Sequence, residues 1–486
     1  MNLLDRMIGE LMPERGLRRA RARAAFNVAK QISQRGFDAA KSGPRTGNWK
    51  GSSGSVNAEL AGGINVIRNR ARDLIANNGY IKHALKVLCS NIVGTGISPK
   101  YDDDKLKKLW AIWSRLECDA NGMLGIGGLQ SQIVRAMWAD GEVLVRFRIR
   151  RPEDGLTVPL QLQVLEADYL DTQKTGETSN GFCICGVQFN FVGQRLGYWL
   201  FDKHPGEIAA LPRSLTSRFV PASEILHLFD PLGRPGQVRG ISEFAVSIWK
   251  ARDLDDYQDA HSIRKKIEAC FAAFITTDDT HLTIGQTAVQ PKAKERRVEE
   301  LSPGLIQYLK PNETINFSNP QSSDGYEETV RVDLRAIAAG TGISYEQLTG
   351  DYSQVNFTSG RMGKMEFKAM VEQFQWLVFI PMFCDKVAAK FAQVAYLNGN
   401  ISKPDILPVS WTAPRIPLLD PLREGQGYKV MREMNVMSRQ QIIRELGDDP
   451  DEVDAEIEAD KYPMSAENSA KRQEQEKTRK DLLKEP

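Results

Sequence analysis

The 486-residue chain has no long apolar run. Its longest stretch, Trp376 to Cys384, has nine residues and contains Pro381, against about 20 for a bilayer-spanning helix. A membrane segment is not expected, and the Arg-rich amino terminus lacks the apolar core of a secretory signal. Net charge is also scarce: 64 Lys+Arg face 62 Asp+Glu, leaving +2. That balance excludes a uniformly basic nucleic-acid binder. The six cysteines include no C-x-x-C pair and suit reduced thiols in a cytoplasmic setting. Cys183 and Cys185 read as same-face residues of an alternating strand. None of the five histidines pairs at i,i+4, and no H-E-x-x-H, P-loop, G-x-S-x-G or strand-bound G-x-G-x-x-G occurs. No catalytic, cofactor or metal residue is expected. Asp102, Asp103 and Asp104 read as the cap and first turn of a helix, and His227 as a sheet-face histidine.

The charge that is present is segregated. Residues 1–50 carry 11 Lys/Arg and 4 Asp/Glu, whereas residues 448–486 carry 13 Asp/Glu and 7 Lys/Arg. Lys41–Ser55 is Gly/Ser-rich and reads as a linker. Helical spacing runs from Asn57 to Val93 with a break at Asn78-Gly79, then again near Leu106–Trp113 and Leu129–Ala139. The period then becomes two. Glu142–Ile149, Val158–Glu166, Phe182–Phe191, Arg195–Phe201 and Ile225–Phe229 read as strands of a mixed or antiparallel sheet. A single amphipathic helix of some 35 residues is expected from Phe244 to about residue 276, a strand at Leu305–Leu309, and a further helix opened by a capping-box spacing at Asp324-Gly-Tyr-Glu327. Residues 343–360 are polar and Gly-punctuated. A helix follows from Arg361 to about Leu397 with a kink at Pro381, then a Pro-rich connector and small helices, one opened by Ser438-Arg-Gln-Gln441.

Three stretches together resemble the portal proteins of lambda-like tailed bacteriophages: Arg72 to Tyr80 leading to Asn91-Ile-Val-Gly94, the helix opening at Arg239-Gly240, and Gly340 to Leu348 followed by Asp351-Tyr-Ser-Gln354 and Thr358-Ser-Gly-Arg361. Their order and spacing cover about residues 55 to 450. The resemblance implies an α+β, elongated phage-portal fold with a mixed-sheet wing, long-helix stem, small clip and helical crown. It further implies a homo-oligomeric ring of twelve subunits at one vertex of the virion capsid, assembled in the host cytoplasm. Double-stranded DNA would pass through the channel during packaging and ejection. The implied partners are the terminase large subunit, a head–tail adaptor, and the major capsid and scaffold proteins.

On that frame residues 1–56 are a basic flexible arm, 57–240 wing, 241–277 stem helix, 278–323 clip, 324–342 stem helix, 343–360 tunnel loop, 361–420 wing helix and connector, 421–464 crown and 465–486 a charged tail. Tyr345, Gln354, Asn356, Phe357, Thr358, Arg361 and Lys364 are the implied channel-facing set. Lys292, Lys294, Arg296 and Arg297 are candidate contacts for terminase or adaptor. The two stem segments, taken over 241–280 and 324–342, hold 12 Asp/Glu and 7 Lys/Arg, a balance that favours sliding over gripping. The alternative is a non-viral DNA-binding protein using the basic head and residues 343–364, or a metal-dependent DNA-processing protein using Asp102–Asp104. The first would run as a monomer or dimer with salt-sensitive DNA affinity, and the second would show metal-dependent nuclease activity lost on mutation of that cluster.

Overall fold

The computed structural model describes residues 53–207, 216–269, 273–277, 313–317, 325–404, 407–414, 420–446 and 450–459. Two short helical segments open it, α1 (Val56–Ala61) and α2 (Ile64–Asn77), and α3 (Gly79–Ile92) follows at once. The break falls at Asn78 because its side chain accepts from the backbone N–H of Ile81, capping α3. Strand β1 (Ser98–Lys100) leads to α4 (Asp104–Ile112), which ends in a π-helical turn over Trp113–Glu117. Asp103 caps α4 by accepting from Leu106 N–H, so the expected helix-cap role for the aspartate run holds there. Helix α5 (Ile126–Asp140) stops at Gly141, whose φ of 87° is left-handed.

Strands β2 (Glu142–Ile149) and β3 (Leu160–Glu166) come next, then β4 (Gly176–Thr178), β5 (Gly181–Ile184), β6 (Val187–Phe189), β7 (Arg195–Phe201), β8 (Ser217–Pro221) and β9 (Ile225–Phe229). They form a three-stranded sheet in the order β3-β2-β9 and a five-stranded meander β4-β5-β6-β7-β8. Every strand ladder among the described residues is antiparallel. The single strand expected over Phe182–Phe191 is two. Cys185, with φ 46°, and Gly186, with φ 86°, turn the chain between them. Cys183 therefore lies in a strand and Cys185 in a turn, so the two thiols do not share a strand face.

The expected 35-residue helix is also shorter. A 3₁₀ turn at Glu243–Val246, capped by Ser242, precedes α6 (Ile248–Ala269) of 22 residues. Ala273–Thr277 then forms β10, paired with β11 (Glu313–Phe317). The β-branched run Ile275-Thr276-Thr277 favours strand over helix, which the apolar spacing alone concealed. Leu305–Leu309 lies outside the described residues. Helix α7 (Tyr326–Thr341) begins after Gly325; Asp324, expected to open a capping box there, lies outside the described residues. Next come α8 (Tyr345–Thr349) and α9 (Phe357–Phe374).

From α9 the chain stays helical through a π-helical stretch, Gln375–Cys384, into α10 (Asp385–Leu397). The missing N–H of Pro381 is absorbed by that widened turn. Strand β12 (Ser410–Thr412) pairs with β1, and α11 (Pro421–Glu433), α12 (Arg439–Glu445) and α13 (Pro450–Ala459) close the described chain. Ser438 caps α12 by accepting from Gln441 N–H.

One core joins α2, α3, α5, the apolar side of β2 and β3, the inner ends of α6 and α7, and the Gln375–Leu397 helix. Trp110, Trp113 and Phe391 meet there, with the Trp113 indole N–H donating to Leu160 O. A second core lies between the sheets, built from Leu144, Leu165 and Ile225 on one side and Val187, Phe189, Tyr198, Leu200 and Val220 on the other. Helices α6 and α7 run antiparallel, with Lys250 at 3.2 Å from Asp333 and Tyr257 stacked on Tyr326. Beyond Leu254 on α6, as far as residue 266, and before Leu334 on α7, no residue is buried. No helix among the described residues is long and apolar enough to cross a membrane.

Candidate nucleic-acid interface

Two capping boxes build the segment between α7 and α9. Ser344 accepts from Gln347 N–H while the Gln347 side chain accepts from Ser344 N–H, nucleating the five-residue α8. Asn356 and Ser359 make the same reciprocal pair at the start of α9. What reads as a loop over 343–360 is thus a short helix, a turn and the first turn of a long helix. Helix α9 starts at Phe357, four positions before the expected Arg361.

A cleft of about 540 Å³ opens beside this segment, lined by Asn91, Glu346, Gln347, Tyr352, Asn356, Arg361 and Lys364 among others. Of the seven residues expected to face a channel, Asn356, Arg361 and Lys364 come together here. Gln354 and Thr358 are exposed but outside the cleft, and the side chain of Phe357 lies outside the described residues. Tyr345 is half-buried beneath the Arg335 guanidinium, 5.7 Å from its ring. Two of these residues carry structural work: the Asn356 carbonyl oxygen is spent on its cap, and Tyr345 packs against the core. Burial pushes the Lys364 ammonium below its ordinary value, and the neighbouring Glu424 charge opposes that shift. Sequence reasoning missed Tyr352 and Glu346. They sit inside the motif quoted above, and only the fold shows that they line the same cleft as Arg361. Lys292, Lys294, Arg296 and Arg297 lie outside the described residues.

A second constellation, not foreseen from sequence, is a buried ionic hub. Glu142, the first residue of β2, is wholly buried and accepts from Arg239 Nε at 2.9 Å, Arg68 Nη2 at 2.9 Å, Gly240 N–H at 3.0 Å and the His227 ring at 2.9 Å. Arg239 also donates to Cys185 O at 2.8 Å. Arg72 forms a fork on Asp140, at 2.7 and 2.6 Å, and reaches Asp168 at 2.7 Å. Burial alone would raise the Glu142 carboxyl, but the Arg239 charge and the hydrogen bonds from His227 and Arg239 hold it well below the usual carboxylate range. His227 is pushed down to about 4, first by burial and against the pull of Glu142. A neutral imidazole with Nε2–H facing Glu142 and Nδ1 accepting from Arg195 at 3.3 Å satisfies both contacts.

Glu166, Asp168 and His204 converge closely enough to resemble a metal site. The Arg72 guanidinium already stands 3.2 Å from Glu166 and 2.7 Å from Asp168, so it is the cation of that cluster. The hub ties α2, both sheets and the entry to α6 together. Gly240 lies so close to Gly141 that an added Cβ would sit 2.0 Å from the Gly141 carbonyl oxygen.

These features define the class: an α+β subunit of two packed sheets and a helical body, from which an antiparallel helix pair emerges beside a polar, doubly capped segment. The chain belongs to the lambda family of phage portal proteins, whose family profile matches residues 42–375. As a member it has the portal fold and is a component of the phage virion, at the head–tail connector. It is similar to the probable portal protein of Halomonas phage phiHAP-1, 26% identical over 453 residues covering 88% of this chain and 86% of that one. Portal protein B of Escherichia phage lambda is 25% identical over 483 residues, covering 84% and 86%. A solved neck of a native gene transfer agent particle is similar at 15% identity, covering 78% of this chain and 94% of the other, with a TM-score of 0.46.

Proposed function

We propose that the chain assembles into a homo-oligomeric ring of twelve subunits at one capsid vertex. The ring forms the channel through which double-stranded DNA is packaged and later ejected, and it acts as a structural conduit without catalytic activity of its own. Residues 57–240 serve as wing, the α6–α7 pair as stem, the segment between β10 and β11 as clip for the terminase large subunit and a head–tail adaptor, and residues 421–464 as crown. The major capsid and scaffold proteins meet the outside of the ring. Residues 343–364 face the channel, with Arg361 and Lys364 supplying the phosphate contacts.

The observation that carries this reading is the portal-family match across residues 42–375. The bare outer half of the α6–α7 pair supports it physically. A helix pair with no buried residue over three turns gains stability only by packing against something else, and a heterologous contact that closes on itself gives a ring. Electron microscopy of the purified protein tests the proposal: annular particles with an axial hole are expected. Only monomers or dimers across a range of salt and concentration would overturn it.

A further inference from the structure

A row of arginines stands on one face of the three-stranded sheet. Side chains alternate along β2, so Glu142, Leu144, Arg146, Arg148 and, just past the strand end, Arg150 share a face. Glu142 is in the buried hub and Leu144 in the core between the sheets. Beyond Leu144 that cover ends, and the next three same-face residues are all arginine. Their Cα atoms stand about 6.8 Å apart at strand rise.

Glutamines from β3 brace the row. Gln163 and Gln161 lie opposite Arg146 and Arg148 in register. Arg148 Nε donates to Gln163 Oε1 at 2.8 Å and Arg150 Nε to Gln161 Oε1 at 2.6 Å. Gln161 is held in turn by donating to Glu117 O and Asp119 O, both at 3.1 Å. Each brace uses Nε, and among the described residues the Nη groups of Arg148 and Arg150 make no hydrogen bond or ion pair. Arg146 meets Glu224 at 3.2 Å, while its own Nε is buried without a partner. Among the described residues no carboxylate is paired with Arg148 or Arg150. Burial, then the charges of Arg146 and Arg150, push Arg148 below its ordinary value. Aligned like charges, an orphaned donor and a partly desolvated guanidinium make an arrangement that costs the isolated sheet stability.

We propose that this braced ladder is a docking site for an acidic polypeptide segment in extended conformation. Carboxylates at alternate positions of that segment would each accept two N–H bonds from the Nη pairs of Arg148 and Arg150. An extended chain presents alternate side chains at the same repeat of about 6.8 Å, and a carboxylate matches the planar guanidinium fork. Duplex DNA fits less well. It is held by broad positive surfaces that displace many counterions, whereas this row offers only two guanidinium forks at strand spacing, Arg146 already being paired with Glu224. The proposal does not depend on the channel reading.

Fluorescence anisotropy with the full chain tests it, using a labelled octapeptide alternating glutamate and threonine, an isomer with the same glutamates contiguous, and a short DNA duplex. The alternating peptide is expected to bind about tenfold tighter than its isomer, with salt-sensitive affinity. Arg148→Gln with Arg150→Gln should weaken it about tenfold or more. Arg148→Lys with Arg150→Lys, which keeps the charge and loses the fork, should fall between and serves if the glutamine variant does not fold. Equal binding of the two isomers, unchanged binding by the variants, preference for the duplex, or no saturable binding would each overturn the proposal.

Discussion

His227 shows how far a single residue can be read in advance and where reading stops. Its place in Ile225-Leu-His-Leu-Phe229 marks it as a sheet-face side chain, and it is one. The alternation does not reveal that Glu142, Arg68 and Arg239 converge on that face, because they come from α2, β2 and the approach to α6, far apart in sequence. Losing one member of such a buried set leaves uncompensated charge, typically costing about 3–5 kcal/mol. The set also has a pH signature. His227 is held at about 4 against an ordinary 6.5, so between those values the unfolded chain takes up a proton that the native chain refuses. Its stabilising contribution is therefore complete above pH 6.5 and is lost as pH falls toward 4, at up to about 1.4 kcal/mol per pH unit. Glu142 acts in the same direction at lower pH, because its carboxyl is held below the usual range. Glu243, whose carboxyl burial raises to about 7, works in the opposite direction over the same range, so the contribution of His227 is read as a difference: in urea unfolding at pH 7, 6 and 5, His227→Gln should lose less stability on acidification than wild type. A wild type and variant with the same pH dependence would refute the account.

At the scale of elements, strands were legible where the alternation is unbroken: β2, β7 and β9 have the boundaries their sequence periods predict. The split at Cys185-Gly186 was not, because a two-residue turn inside an apolar run leaves no polar punctuation. The end of α6 was hidden for the opposite reason, since aliphatic residues continue the helical spacing into β10. Of the residues expected to face a channel, Arg361 and Lys364 line the cleft, since a helix start brings its charged residues to the surface. The capping work of Asn356 became visible only with the reciprocal Ser359. Gly340, part of the recognised motif, has a mechanical reason to be glycine. It lies in α7 where that helix meets the turn before α6, and an added Cβ would fall 2.3 Å from Ser247 Oγ, which itself faces Ile337 O at 3.4 Å. Gly340→Ala should destabilise the protein by about 1–3 kcal/mol. Ser247→Ala in the same chain should recover most of that loss, since the next nearest atom is 3.6 Å away. Thermal unfolding of the two variants decides it, and no rescue would mean the crossing is not what limits that site.

For the whole molecule, near-zero net charge is a sum over unlike parts. A basic head with 11 Lys/Arg to 4 Asp/Glu, the stretches 241–280 and 324–342 with 7 to 12, and a tail with 7 to 13 offset one another, while the helices α6 and α7 themselves are nearly balanced at 7 Lys/Arg to 8 Asp/Glu. On the channel reading, helices so balanced would neither attract nor repel duplex phosphates strongly, so any grip falls on a few cations elsewhere. On that proposed reading Arg361 and Lys364, one helical turn apart on α9 and both lining the cleft beside α8, would provide it. A contact limited to two cations per subunit is weak enough to release, because each phosphate neutralised adds only about 0.9 to the salt slope. Replacing both with alanine should lower the slope of log affinity against log salt for duplex binding to the purified protein by up to about 2 per engaged subunit. The same change should reduce DNA retained in assembled particles while leaving ring formation intact. A double variant with the wild-type slope and wild-type retention would move the grip away from α9.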